Sequence, residues 1–268
     1  MIRIVVANQK GGVAKTTTSL SLSRCFAELG LKVLLIDIDP QGSVGASLGL
    51  KATNFLYHFV ISNYRFKDCV MAAHPNIDVV CSNRETQDVE GILTPRTGRE
   101  LIFQVLLAPV EAAYDVVVID CPPAISLLQS CALMYAQQLV IPLTMDPLSL
   151  QGAYAAIQTT ATLNRLFKVN IRPVAVLPVQ VDRRLQMTEV ILESLASMAA
   201  EYGIPLLSAI RTDSTVPKAT RARQFLADYD PKCKAAEDYT AVTLELLNHL
   251  KDQLNDSQQR TLEAQVQA

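Results

Sequence analysis

Seven short runs of apolar, mostly β-branched residues recur along the chain, separated by stretches of helical length. They are Ile2 to Ala7, Val33 to Ile38, Ile77 to Cys81, Val116 to Ile119, Leu139 to Leu143, Val174 to Val179 and Leu206 to Ile210. A strand wetted on one face alternates apolar and polar residues; these runs are continuous, so both faces of their sheet must be covered. The cover comes from helical stretches at Thr17 to Leu29, ended by Gly30, and at Ser126 to Tyr135, Ser149 to Leu163, Leu185 to Glu201 and Glu237 to Gln253. The expected fold is α/β, a doubly wound, mostly parallel sheet flanked by helices. Half of the 268 residues are hydrophobic and 19% are charged, enough apolar material for one large core. No Pro/Gly/Ser-rich linker interrupts the chain, so residues 1–250 read as one domain. Residues 251–268 lose the apolar stripe and read as an acidic, flexible tail.

Charge and cysteine usage exclude several classes. Twenty-four basic against 26 acidic residues leave no overall positive field, so any contact with nucleic acid must be a local patch. The six cysteines (Cys25, Cys69, Cys81, Cys121, Cys131 and Cys233) form no C-x-x-C pair and have no His at ligand spacing, which fits buried thiols in a reducing cytoplasm. The apolar run Ile4 to Ala7 is too short for a signal segment. No charge occurs between Asp120 and Asp146, but Pro122, Pro123, Gln129, Gln137, Gln138 and Pro142 divide that stretch, so it reads as protein interior rather than a membrane span.

The first strand runs directly into Gln9-Lys10-Gly11-Gly12-Val13-Ala14-Lys15-Thr16-Thr17-Thr18 and then a helix. In that setting backbone N–H groups and a helix N-terminus cradle phosphates. Gly11 and Gly12 allow close backbone approach, Lys15 reaches the β/γ oxygens, and the Thr16 hydroxyl suits a Mg²⁺ ligand. The common G-x-x-x-x-G-K-[ST] pattern fails at both outer glycines, where Gln9 and Ala14 stand. A glycine-rich turn with solvated lysines is the alternative. The next run, Val33 to Asp37, continues Ile38-Asp39-Pro40-Gln41-Gly42 and sets carboxylates at the ligand edge of a parallel sheet. Asp39 can orient water there, whereas Asp37 is open to a second reading as a strand-end residue satisfied by loop N–H groups. Val116 to Asp120, followed by Cys121-Pro122-Pro123, has the Walker B form, with Asp120 reaching Mg²⁺ through water.

The string K-G-G-x-x-K-T from Lys10 to Thr16 resembles the deviant Walker A motif of the ParA/MinD family of ATPases. D-x-D-P-Q-G from Asp37 and D-C-P-P from Asp120 resemble that family's two switch regions. The segment Val179 to Arg184 and the closing section Pro205 to Tyr239 resemble it as well, so the likeness spans residues 1 to about 250. The resemblance implies ATP and Mg²⁺ as cofactors, bound by Lys10, Gly11, Gly12, Val13, Ala14, Lys15, Thr16, Thr17 and Asp120, with Thr16, Asp39 and Asp120 at the metal, the two carboxylates through water. It also implies a nucleotide-sandwich homodimer in which Lys10 crosses to the partner's ATP, and hydrolysis that needs Asp39. Asp182 or backbone near Val179 would border the adenine.

Branch choice within the family comes from what surrounds the site. Paired cluster cysteines are missing, so the iron–sulfur branches do not fit. MinD-like proteins end in a basic amphipathic helix, but residues 237–268 carry six acids and two bases, a formal −4 that an anionic bilayer repels. Residues 211–234 carry six bases against three acids, a formal +3, where ParA-like dimers bind DNA phosphates. The candidates are Arg211, Lys218, Arg221 and Arg223, extended by Arg183 and Arg184; an ordinary mixed-charge surface is the alternative. The phosphate loop begins at residue 10, so no operator-reading helix-turn-helix is expected ahead of it. The resemblance therefore implies a ParA-like partition ATPase associated with the nucleoid, whose release from non-specific DNA is triggered by a ParB-like or other cargo adaptor. A MinD-like membrane ATPase and a small-molecule ligase of the dethiobiotin-synthetase type are the alternatives.

Overall fold

The computed structural model describes residues 1–251. Seven strands form one sheet: β1 (Ile2–Val6), β2 (Val33–Asp37), β3 (Val70–His74), β4 (Ile77–Val80), β5 (Val116–Asp120), β6 (Gln138–Leu143) and β7 (Arg172–Pro178), in the order β3-β4-β2-β5-β1-β6-β7. Every pairing is parallel except the edge pair β3–β4. The connecting helices are α1 (Lys15–Glu28), α2 (Ser43–Leu48), the short α3 (Leu56–Val60) and α4 (Phe66–Cys69), α5 (Thr86–Leu93), α6 (Ile102–Leu107), α7 (Leu127–Ala136), α8 (Pro147–Phe167), α9 (Gln186–Tyr202), α10 (Thr215–Ala222), the short α11 (Leu226–Tyr229) and α12 (Lys234–Leu250).

The unbroken apolar strands have the expected physical cause. Ile2, Ile4 and Val6 of β1 pack into one core with α1 and α12, while Val5 enters the opposite core with α7 and α8. Successive side chains point to opposite faces, and both faces are covered, so both sets are mainly apolar; Arg3, on the Val5 face, is the exception, its guanidinium lying over the Tyr135 ring and near Glu111. The uncharged stretch between Asp120 and Asp146 is largely interior: Cys131 to Ala136 and Leu139 to Leu143 are buried, while Pro123 to Ile125 and Gln137 reach the surface. No helix among the described residues is long and apolar enough to cross a membrane.

Several expectations are corrected. Leu206 to Ile210 is not a regular strand; it meets β7 through an isolated bridge at Val176–Leu206 and a hydrogen bond from Ile210 N to the Pro178 carbonyl, and the bridge at Val181–Arg211 lies just beyond both segments. Val176 exchanges backbone hydrogen bonds with Pro205 and Leu207, but Pro178, two residues on, has no N–H to continue the ladder. The antiparallel edge strand β3 was not expected; Val70-Met71-Ala72-Ala73-His74 is half-exposed and carries a register shift between Ala72 and His74. Helix α1 begins at Lys15, not Thr17, and α12 spans Lys234–Leu250 rather than Glu237 to Gln253. Gly30 adopts φ +80° just beyond α1, the left-handed stop expected of it. The acidic tail, apart from Lys251, falls outside the described residues.

Candidate functional site

Strand register assembles the site. Val6 lies opposite Asp120, and Asp37 lies opposite Asp120 from the other side, so the carboxyl ends of β1, β5 and β2 stand level at one edge of the sheet. The phosphate loop leaves β1 at this edge and enters α1. Gly11 and Gly12 are exposed, Gly12 at φ +77°, and Val13 anchors the loop in the interior. Ala14 takes φ +56° and ψ +29° as the residue before α1. Glycine adopts that left-handed conformation freely, whereas a Cβ costs about 1 kcal/mol there. The backbone therefore keeps a glycine-like loop although the sequence departs from glycine.

Lys15 is buried, and its Nζ donates to the Lys10 carbonyl at 2.8 Å. Burial lowers its pKa, offset in part by the Asp120 and Asp39 carboxylates. Asp120 is fully buried and accepts from Thr16 Oγ1 at 2.7 Å and Ser19 Oγ at 2.8 Å. Burial raises its pKa to about 6 against the pull of those two hydroxyls. Asp37 is also fully buried and accepts from the backbone N–H groups of Asp39 (2.9 Å) and Val44 (3.1 Å). Its carboxyl titrates well above the ordinary range, first through burial and then through the charge of Asp120. Of the two readings open for Asp37, the structure gives the one in which loop N–H groups satisfy it. Asp39 is only half-buried and accepts from Gln41 N at 2.9 Å, leaving carboxylate capacity free for a water. Thr17 is half-buried at the mouth of the loop.

Lys10 does not project freely. Its ammonium donates to both oxygens of Asp146 at 2.7 Å. Asp146 caps α8 by accepting from Ser149 N and also accepts from Thr144 Oγ1. Burial by itself would raise the Asp146 pKa, but the hydrogen bonds from Lys10, Thr144 and Ser149 together hold it well below the usual carboxylate range. Asn8, fully buried, ties this corner together: its amide donates to the carbonyls of Pro142 and Ser149, and its oxygen accepts from Lys10 N. Sequence reading missed Asn8, Ser19, Thr144 and Asp146. Asp146-Pro147-Leu148-Ser149 does carry a helix-start signature, yet nothing in it points to a lysine 136 positions away.

Beside the loop lies a cavity of about 440 Å³ with apolar walls from Val179, Ile210, Val216 and Pro217, and with Thr17 and Ala14 at its loop side. Val179 borders this cavity. Asp182 does not; it is paired with Arg184 and faces an adjoining cavity shared with Arg183 and Lys234. The DNA candidates divide. Arg211 is engaged by Asp238 at 2.7 Å and Glu237 at 3.4 Å, and Arg184 by Asp182. Arg183, Lys218, Arg221 and Arg223 are exposed, three of them on or just after α10. The stem of Arg223 lies against Gly49 at the end of α2, where a Cβ would come within 2.6 Å of it.

The donor set fits a hard cation bound mainly by phosphate and water. Thr16 and Asp120 present oxygens 2.7 Å apart, and the described residues hold no cluster of three or more metal-ligating side chains of the kind that would cage an ion without a phosphate. Fold and loop together define a P-loop nucleoside triphosphatase. A family model described as an AAA domain matches residues 1–172. The sporulation initiation inhibitor protein Soj of Bacillus subtilis is 29% identical over 91% of this chain and 97% of its own length. The cell division protein PomZ of Myxococcus xanthus is 32% identical over 92% of this chain and 78% of its own. Among solved structures, cobyrinic acid a,c-diamide synthase from Mycobacterium smegmatis with bound ATP analogue and magnesium is 28% identical, with a TM-score of 0.80 over 94% of this chain and 96% of that one. Apo McdA from Cyanothece shares the fold at a TM-score of 0.83 and 20% identity, over 92% of this chain and 99% of that one. The chain belongs to the ParA/MinD family of P-loop ATPases.

Proposed function

We propose that this ATPase is a ParA-like partitioning protein that pairs through ATP, binds DNA in the paired state and is released when a cargo-borne adaptor accelerates hydrolysis. The observation that carries the reading is the convergence of Lys10, Lys15, Thr16, Asp39 and Asp120 at one sheet edge, although they come from three separate strand ends. Lys15 and the N–H groups of Gly11 to Thr17 would hold the triphosphate, and the Thr16 hydroxyl with the carboxylates of Asp120 and Asp39 would hold the metal. Magnesium, when bound, neutralises charge on the phosphate oxygens. Asp39 accepts a hydrogen bond from the attacking water and orients it in line with the terminal phosphoryl group. The apolar cavity at Val179, Ile210, Val216 and Pro217 takes the adenine face. Lys10 leaves its own subunit and reaches the partner's nucleotide. Exposed Lys218, Arg221, Arg223 and Arg183 contact DNA phosphates, which places the protein on the nucleoid.

Three measurements test this. Retention on DNA requires ATP and falls steeply with salt; equal retention with ADP contradicts the reading. Asp39→Ala binds ATP and stays paired on DNA without turning over, so rapid hydrolysis by that variant removes the role of Asp39. Lys10→Ala binds nucleotide but does not pair, and unchanged pairing shows that Lys10 acts within its own subunit. A second reading, an ATP-dependent small-molecule ligase, is favoured by the likeness to the cobyrinic acid a,c-diamide synthase structure. It predicts ATP turnover that depends on a small carboxylate and is indifferent to DNA.

A further inference from the structure

Lys10 is fastened to its own subunit at three points. Its N–H donates to Asn8 Oδ1 at 3.1 Å, its carbonyl accepts from Lys15 Nζ at 2.8 Å, and its ammonium is shared by the two Asp146 oxygens. Only the last of these restrains the side chain. An ammonium has three donors, so Lys15 can keep its bond to the Lys10 carbonyl when phosphates arrive. Among the described residues, Asp146 alone decides where the Lys10 ammonium rests.

The pair is built to open. The two side chains are 31% and 33% exposed, so neither charge is stranded away from water when they part. Asp146 keeps its other partners, Ser149 N at 3.0 Å and Thr144 Oγ1 at 2.6 Å, and α8 keeps its cap. We propose that Asp146 is a positioning residue that holds Lys10 back in the lone subunit, and that each subunit gives up this ion pair when it joins a partner. The proposal rests on the trans role given to Lys10 above. A complete triphosphate on the partner outbids one carboxylate for the ammonium because it carries more negative charge at the receiving end. A diphosphate or an empty site offers less, and Lys10 stays with Asp146. The ion pair thereby makes pairing conditional on the terminal phosphoryl group.

The test is Asp146→Asn, which removes the charge and keeps the cap, since Asn caps helices as well as Asp; Asp146→Ser is a second capping variant. In the nucleotide-free protein, Lys10 reacts several-fold faster with an amine-acylating reagent in either variant than in the wild type, with exposed Lys218 as the internal reference. In sedimentation equilibrium with a non-hydrolysable ATP analogue, the variants pair about tenfold more tightly, because two ion pairs open per dimer and each is worth about threefold. The variants also pair at lower concentration with ADP, so discrimination between the nucleotides narrows. Unchanged acylation shows that the ion pair does not hold Lys10, and faster acylation with unchanged or weaker pairing shows that it does not restrain the dimer; either result overturns the proposal. A wild type that forms no analogue-dependent dimer sinks the trans role of Lys10 and this proposal with it. That failure is distinguishable because the other two leave the wild-type dimer intact.

Discussion

Replacing Gly152 with alanine sets helix propensity against packing, and the structure predicts which wins. Gly152 is buried within α8, where alanine ordinarily gains about 1 kcal/mol over glycine. A Cβ at this position would lie 2.2 Å from Asn8 Oδ1, 3.3 Å from Asn8 Cγ and 3.3 Å from Lys10 N. Asn8 cannot step aside freely, because it is fully buried and holds the carbonyls of Pro142 and Ser149 together with the N–H of Lys10. Displacing it costs one or two hydrogen bonds at about 1 kcal/mol each, with overpacking of about 1–3 kcal/mol on top. Set against the propensity gain, Gly152→Ala destabilises by about 2 kcal/mol, which lowers Tm by roughly 4–8 °C for a chain of this size. Gly91 in α5 is the control: it is exposed and has nothing within 4 Å of an added Cβ, so Gly91→Ala stabilises by about 0.5–1 kcal/mol. Urea unfolding reads both, with the midpoint falling for Gly152→Ala and rising for Gly91→Ala at unchanged slope. The Gly152 variant also binds nucleotide more weakly, because Asn8 sets the start of the phosphate loop. If both substitutions stabilise alike, Asn8 is not held as described and this account of the corner fails.

Three further outcomes are expected. Ala14→Gly, at φ +56°, relieves about 1 kcal/mol of left-handed strain less the entropy glycine gains in the unfolded chain, so the thermal midpoint stays level or rises; a clear fall contradicts the strain. Burial lifts Asp120 from 3.8 to about 6, so between those two values the nucleotide-free fold holds a proton there that the unfolded chain has released. Its contribution to stability is greatest below about pH 4 and is lost as pH rises through about 6; Asp120→Asn therefore melts above the wild type at pH 7, by a margin that shrinks toward pH 4. On DNA, Lys218→Ala with Arg221→Ala reduces the slope of log affinity against log salt by about 2, whereas Arg211→Ala, engaged by Asp238, changes that slope little.

The phosphate loop was legible because its chemistry is local: glycines, a lysine and a threonine within eight residues, between a strand and a helix. Asp39 and Asp120 were legible because each ends or follows an apolar run, and a parallel sheet sends such ends to one edge. Leu206 to Ile210 misled because its composition suits a strand while Pro178 on the neighbouring strand withholds the needed N–H. The charge count over residues 211–234 gave a positive section but no sign of which charges were spent. Arg211 is neutralised by Asp238 on α12, whereas Lys218 and Arg221 remain outside, on α10.

The order of apolar runs and helical stretches, by itself, determined a doubly wound sheet with a phosphate loop at its edge, since periodicity and loop chemistry act over a few residues at a time. Tertiary structure decided the rest. It brought Asn8 against Gly152 and closed Asp146 on Lys10 across 136 positions of sequence. Those contacts depend on the register of β1 against β6 and on where α8 begins beside them, a relation between distant segments that no local pattern encodes.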